Sequence, residues 1–258
     1  MKVIKVDLSK NIKMIEIIPL ADLHIGDPHC DIELIKEKIE YIKNNPNVYC
    51  LLNGDLMNNS TKNSVGDVYG EKLTPLEQLQ FICKLFEPIK HKIIAVTNGN
   101  HEFRSYKWDG IDLMSLFCSQ LGIADKYANE SALIFLRFGE QNGHKNFNKV
   151  PYVLYVTHGS GGGRKEGAKA IRLADMASIV DADVYIHSHT HLPMIMKQQF
   201  HRVDVRSSTV ALVPKMFVNT AAMLNYGGYG EAAEFKPASK DTPHIFLNGE
   251  EKKFTAKL

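Results

Sequence analysis

The chain has 258 residues, 44% apolar and 23% charged, with a formal net charge of +2. This suits a soluble globular protein with a substantial core, built as one large α/β domain or two small ones. It argues against a strong field for polyanions, although a local basic face is compatible with it. Cys30, Cys50, Cys83 and Cys118 form no CxxC pair or disulfide-like spacing, and read as reduced, mostly buried thiols of a cytoplasmic protein. Lys2, Lys5, Asp7 and Lys10 interrupt the first segment, which reads as neither a secretory signal nor a membrane span.

In chain order, residues 1–8 alternate as a strand and residues 14–20 form a second, more apolar one ending just before Asp22. Residues 31–43 have helical periodicity, with Ile32, Ile35, Ile39 and Ile42 on one face. Asn44-Asn45-Pro46-Asn47 stops this helix, and residues 48–52 are a short buried strand leading to Gly54-Asp55. Residues 58–73, polar and glycine-containing, read as a loop over the site. Thr74 is an N-cap with Pro75 at the first helical position, opening a helix to about residue 86.

Residues 91–96 are a further strand, delivering Gly99-Asn100-His101, and residues 109–121 read as a helix. Strands at 131–138 and 150–156 are joined by a polar turn at 139–148. A glycine-rich loop, a helix at 167–180 and a strand at 183–186 lead into a histidine cluster. A β-hairpin is expected over 194–213 and a terminal one at Asn248-Gly249. No repeat or linker stands out, so a single domain over 1–258 is expected, with two sheets packed face to face and helices outside.

Five motifs close these apolar runs: Asp22-Leu23-His24, Gly54-Asp55, Gly99-Asn100-His101-Glu102, Thr157-His158-Gly159 and His187-Ser188-His189-Thr190-His191. Alone, the first two read as ordinary polar turns. Together the five read as metal ligands, because residues at the ends of neighbouring strands converge at one sheet edge. Mixed nitrogen and oxygen donors suit divalent transition metals, and the absence of thiols argues against a structural zinc site. Two cations about 3.5–4 Å apart lower the pKa of a bridging water and clamp phosphoryl oxygens, which is what hydrolysis of a phosphate ester needs. Asp55 is the natural shared ligand. Asp22 and His24 alternate on a segment expected to be extended, as do His189 and His191, so each pair points one way. Asn100 offers an uncharged oxygen, and His101 is left free to act as an acid. His187 reads equally as support for the site or as a satisfied buried histidine. Asp27 and His29 read as a solvated turn in preference to cleft lining.

These motifs resemble the calcineurin-like metallophosphoesterases, whose string runs D-x-H, G-D, G-N-H-[DE], H, then G-H-x-H, over residues 14–192 of this chain. The resemblance implies an α/β fold, a four-layer αββα sandwich with metals at the strand ends. It implies one metal on Asp22, His24, Asp55 and His191 and another on Asp55, Asn100, His158 and His189. The two divalent ions would be manganese first, with iron, zinc or nickel as alternatives. His101 would protonate the leaving oxygen or steady the phosphate. Two departures stand out: Ser188 replaces the usual glycine, a tolerable change, and Asn58 replaces the acidic residue that orients the catalytic histidine in protein phosphatases. Asn58 retains the capacity to hydrogen-bond His101 without stabilising its charged form. The Asp-Arg-Gly extension of serine/threonine protein phosphatases is missing, which weighs against that activity.

The glycine-rich loop after His158 places Arg164 and Lys165 where they can meet phosphate. Past His101, Arg104, Tyr106, Lys107 and Trp108 mix cations with aromatics that can stack on bases. For Trp108, anchoring the next helix in the core is the preferred role. These features lean toward a nuclease-like phosphodiesterase acting on a nucleotide or nucleic acid. The alternatives are a phosphomonoesterase and a metal-stabilised binding module without turnover. No membrane partner is expected. Residues after Met216 carry no functional signal, and Asn225-Tyr226-Gly227-Gly228-Tyr229-Gly230 reads equally as a flap or a packed loop.

Overall fold

A computed structural model describes residues 1–62, 64, 67–140, 148–161 and 163–258. Strands β1 (Lys2–Asp7) and β2 (Met14–Leu20) are followed by helix α1 (Ile32–Asn44), strand β3 (Val48–Asn53), helix α2 (Pro75–Phe86) and strand β4 (Ile93–Thr97). Helices α3 (Asn100–Asp109) and α4 (Leu113–Gln120) lead to β5 (Tyr127–Ala128), β6 (Ser131–Phe138) and β7 (Val150–Thr157). Then come α5 (Glu166–Asp175), β8 (Val184–His187), the hairpin of β9 (Met194–Asp204) and β10 (Thr209–Asn219), α6 (Gly228–Ala232), β11 (His244–Asn248) and β12 (Phe254–Lys257).

The strands form two six-stranded sheets, ordered β1-β6-β7-β8-β10-β9 and β12-β11-β2-β3-β4-β5. Both are mixed. β2, β3, β4 and β5 run parallel, whereas β11 joins β2 antiparallel. In the other sheet β7, β8 and β10 run parallel, β9 is antiparallel to β10, and β6 is antiparallel to β7 but parallel to β1. The segment after Met216 therefore completes the sheet that carries the first three motifs.

Alternation of side chains along each strand explains the layers. Ile15 and Ile17 of β2 and Leu51 of β3 join Ile134, Leu154, Val184, Ile186 and Val218 of the facing sheet in one buried cluster. Ile18, Leu20, Cys50 and Leu52 face the other way, against Ile35, Ile39 and Ile42 of α1, Leu79, Ile82 and Phe86 of α2, and Met114 and Phe117 of α4. On the far side, Tyr155, Tyr185 and Phe217 pack with Leu173 of α5. Strands buried on both faces read as the continuous apolar runs seen in the sequence. The result is the expected αββα arrangement.

Thr74 caps α2 in a reciprocal capping box with Glu77, as the Thr-Pro signal predicts. The expected helix at 109–121 is instead two. Gly110, at φ 71°, ends α3, and Asp112 caps α4 by accepting from Ser115 N at 2.9 Å. α3 escaped the periodicity reading because it has no apolar stripe, and only Glu102 among its residues is buried. α5 is shorter than expected and continues as a 3-10 turn at Met176–Ser178. The terminal hairpin is present, but residues 249–253 link its strands in place of a tight Asn-Gly turn. In the 58–73 loop the described residues include a 3-10 turn at Val68–Gly70. Most of the polar turn at 139–148, namely residues 141–147, lies outside the described residues. No helix among the described residues is long and apolar enough to cross a membrane.

Phe86 is fully buried and meets the Phe117 ring edge-on, with centroids 6.0 Å apart. Phe86→Ala should cost about 3–5 kcal/mol of stability through transfer and cavity terms. Urea denaturation should show a lower midpoint at unchanged slope; a shift equivalent to under about 1 kcal/mol would mean the helix–sheet layer is not packed as described.

Candidate metal centre

The parallel strands of both sheets end at one edge, and each motif occupies the turn beyond a strand. Asp22 and His24 follow β2, Asp55 follows β3, Asn100 and His101 begin the helix after β4, His158 follows β7, and His187, His189 and His191 lie at and beyond the end of β8. The first two turns are zipped together, Asp22 N donating to Gly54 O at 3.1 Å and His24 N to Asp55 O at 3.0 Å. The expected extended geometry is corrected here. Asp22, His24, Asp55, His189 and His191 all have positive φ, between 48° and 65°. Alternate residues in the left-handed region coil each segment and turn both of its side chains to one side. Non-glycine residues adopt this conformation at a cost of about 1–2 kcal/mol each, and such strain gathers at functional sites.

The donor atoms converge. Those of Asp22, His24 and His191 lie within 4.8 Å of one another, as do those of Asp55, His158 and His189, and those of His24, Asp55 and His101. His24 Nε2 and His191 Nε2 are 3.4 Å apart, and His191 Nε2 is 3.2 Å from Asp22 Oδ1. Asp55 Oδ2 is 3.2 Å from His158 Nε2 and 3.8 Å from His101 Nε2. Asn100 Oδ1 sits 3.2 Å from His158 Nε2. Asp22 Oδ1 and His24 Nδ1 are buried without any hydrogen-bond partner. Burial, then the nearby His101, pushes His24 well below the usual imidazole range, leaving it neutral with lone pairs to offer. Burial opposes charge on His158, but the Asp55 carboxylate outweighs it and lifts this imidazole to about 10. Such a set, rich in acceptors and poor in donors, fits divalent cations.

Several buried polar residues hold the donors; Glu102 and Ser188 stand within the motifs, whereas Asn53 and Thr97 carry no motif signal. Asn53 is a knot between sheets: its Nδ2 donates to Thr157 O at 2.9 Å and Ser188 Oγ at 2.6 Å, and its Oδ1 accepts from Thr97 Oγ1 at 2.6 Å. Its backbone oxygen takes His158 Nδ1 at 2.7 Å, which aims Nε2 at Asp55. Ser188, in the usual glycine position, thus has a partner for its hydroxyl. Glu102 accepts from Asp55 N at 3.0 Å, Met57 N at 2.8 Å and Gly99 N at 3.2 Å. Burial and the Asp55 charge push its carboxyl up to about 7. Gly54 and Gly99 are needed for close approach. A Cβ on Gly99 would lie 2.1 Å from Asp55 Oδ1, and one on Gly54, at φ 78°, would lie 2.7 Å from Gly99.

The other expected residues are distributed unevenly. His101 Nδ1 is 2.6 Å from the backbone oxygen of Asn58, whereas the Asn58 side chain turns to Ser60 and Glu71. A main-chain oxygen, and not the Asn58 amide, therefore orients His101. Arg104 Nη1 also reaches Asn58 O, at 3.1 Å. Tyr106 is five residues from His101, so it lies on a different face of α3, with its ring tilted against that of Phe103 at a centroid distance of 5.5 Å. Trp108 is not a core anchor: it is 54% exposed. Arg164 and Lys165 are exposed, Arg164 lying over the Phe235 ring. His187 is buried and bonded to Asn219 Oδ1 at 2.9 Å, and belongs to none of the three donor groups. Asp27 and His29 pair with each other, and the His29 ring packs against Gly227 and Gly228. In the Asn225–Gly230 stretch the two central glycines meet the His29 ring and α6 begins at Gly228, while Tyr226 and Tyr229 are exposed.

The sequence profile of the calcineurin-like phosphoesterases matches residues 23–193. The chain belongs to this family, whose members are metal-dependent phosphoester hydrolases. No curated protein matches the chain. Solved structures similar to it include Vacuolar Protein Sorting 29 from Cryptosporidium parvum, at 14% identity and TM-score 0.42, covering 95% of this chain and 97% of that one. A predicted phosphoesterase from Streptococcus pneumoniae TIGR4 matches at 15% identity and TM-score 0.38, covering 95% and 99%. Nuclease MPE from Pseudomonas putida matches at 13% identity and TM-score 0.35, covering 93% and 87%. At these values none of the three speaks to this chain's substrate.

Glu102→Gln should weaken the centre from behind. Either flip of the amide sets an NH₂ group against backbone N–H donors, leaving buried groups unpaired at about 1–3 kcal/mol. The variant should melt lower than wild type and bind manganese more weakly by calorimetry. Wild-type values for both would show that Glu102 does not hold the turn of Asp55.

Proposed function

We propose that this chain is a two-metal phosphodiesterase acting on a nucleotide or nucleic-acid phosphodiester. The observation that carries the reading is the convergence of donors from five strand-end turns, including the unpartnered Asp22 Oδ1 and two imidazole nitrogens 3.4 Å apart. Asp22, His24, Asp55 and His191 would hold one ion, and Asp55, Asn100, His158 and His189 the other. Manganese is the first choice; iron, zinc and nickel suit the same donors. When bound, the ions would polarise the phosphoryl group and acidify water.

His101 supplies the proton for the leaving oxygen. Its Nδ1–H donates to Asn58 O, so Nε2 is the nitrogen that faces Asp55 and the site, and a proton there is the one available for transfer. Asn58 contributes through its main chain. Arg104, half-buried beside His101, supports an anionic substrate extending past the reacting phosphorus. Arg164 and Lys165 are outer phosphate contacts on this reading. The complete donor set favours an enzyme over a binding module. The four free cysteines suit a cytoplasmic setting, and residues 1–258 act as one domain.

Metal-stripped protein reloaded with manganese should cleave bis-p-nitrophenyl phosphate faster than p-nitrophenyl phosphate. His101→Ala should keep its metal and lose about 10²–10⁴-fold in kcat. Turnover of the monoester alone would overturn the diesterase reading, and unchanged turnover in His101→Ala would overturn the role of that histidine.

A further inference from the structure

Helix α3 starts at a donor of the centre and leads away from it. Residues three, four and seven apart share a helix face, so His101, Arg104 and Trp108 form one line, with Trp108 two turns beyond His101, about 10 Å along the axis. Each member of that line is unusual. Arg104 is half-buried, yet among the described residues it pairs with no carboxylate; its Nη1 donates to the main-chain oxygens of Asn58 and Asn59, at 3.1 and 3.5 Å. Trp108 is the only tryptophan of the chain and is 54% exposed. Lys107 Nζ lies 5.1 Å from its ring centroid, placing a second cation at the same spot.

We infer that the His101–Arg104–Trp108 face of α3 is the track for the leaving strand of a single-stranded oligonucleotide, with a nucleobase stacked on Trp108. The inference rests on the phosphodiesterase reading and gives that site its substrate class. The leaving oxygen sits where His101 can protonate it. The chain attached to that oxygen must then pass Arg104, whose remaining N–H groups match the next phosphodiester. Beyond it an exposed indole offers the π-face that any base can use, with Lys107 adding charge near the backbone. A duplex would present phosphates but no free base face at this position, so a single strand is the better match. Phe103 and Tyr106 lie on another face of the helix in tilted contact with each other, so the tryptophan is the ring in line with the chemistry.

Because Trp108 is unique, its fluorescence reports directly on the track. Titrating the metal-free protein with oligo(dT)₁₀ should quench that emission in a saturable, salt-dependent way. In manganese-loaded protein, Trp108→Ala should lower the ratio of kcat/KM for oligo(dT)₁₀ to that for bis-p-nitrophenyl phosphate by about 5-fold to 100-fold, the usual value of one base stack. Trp108→Phe should recover most of that ratio. An unquenched tryptophan, or a ratio unmoved by Trp108→Ala, would overturn the inference and leave the indole to a protein partner. If wild type hydrolyses neither ester yet the tryptophan is quenched, the phosphodiesterase reading fails while the binding track stands.

Discussion

Acceptor atoms crowded together without donors are the constraint on which this structure turns. Asp22, Asp55 and the imidazoles of His24, His158, His189 and His191 bring lone pairs to within a few ångströms in a buried setting. His24 Nδ1 has no hydrogen-bond partner, and Asp22 Oδ1 has only the His191 ring nitrogen near it, at 3.2 Å. Burial strengthens every such electrostatic conflict, because little water is present to screen it. Only protons or cations relieve it, and the Asp55 carboxylate, 3.2 Å from His158 Nε2, favours a charged imidazole there despite its burial.

A fold that imposes this crowding needs strong supports, and they are found directly beneath the donors. Three parallel strands of one sheet and two of the other end at the same edge, so the five turns meet with little further chain. The left-handed backbone at Asp22, His24 and Asp55 is held by main-chain pairing between their turns and by Glu102, which gathers three N–H groups. That at His189 is held by its N–H donating to Asp22 Oδ2 at 3.1 Å. Asn53 then ties the two sheets together at the point where their turns face one another. The two apolar layers on either side of the donor-bearing sheet supply the rigidity that keeps these contacts in register.

The donors were legible in the sequence because each motif ends an apolar run, and strand ends are where such residues meet. The αββα layering was legible for a related reason: alternation and strands buried on two faces leave a strong pattern. The supports were not. Asn53 and Ser188 are 135 positions apart, and nothing local in either residue announces the bond between them. Helix α3 has no apolar stripe: Glu102 is its one buried side chain, His101, Arg104 and Ser105 are partly buried, and Phe103, Tyr106, Lys107 and Trp108 are exposed, so periodicity does not announce its start at Asn100. Trp108 was misread for the opposite reason, since a large aromatic ring beside a helical segment ordinarily belongs inside. The expected extended form of Asp22-Leu23-His24 does not hold. Aspartate and histidine enter the left-handed region more readily than most residues but still only in a minority of cases, so residue type alone does not announce it.

Anomalous diffraction from manganese-loaded crystals tests the central claim most directly. Two peaks per chain should appear, one among Asp22, His24 and His191 and the other among Asp55, His158 and His189, with the Asp55 carboxylate between them. A single peak, or peaks away from these side chains, would contradict a two-metal centre built on the shared aspartate.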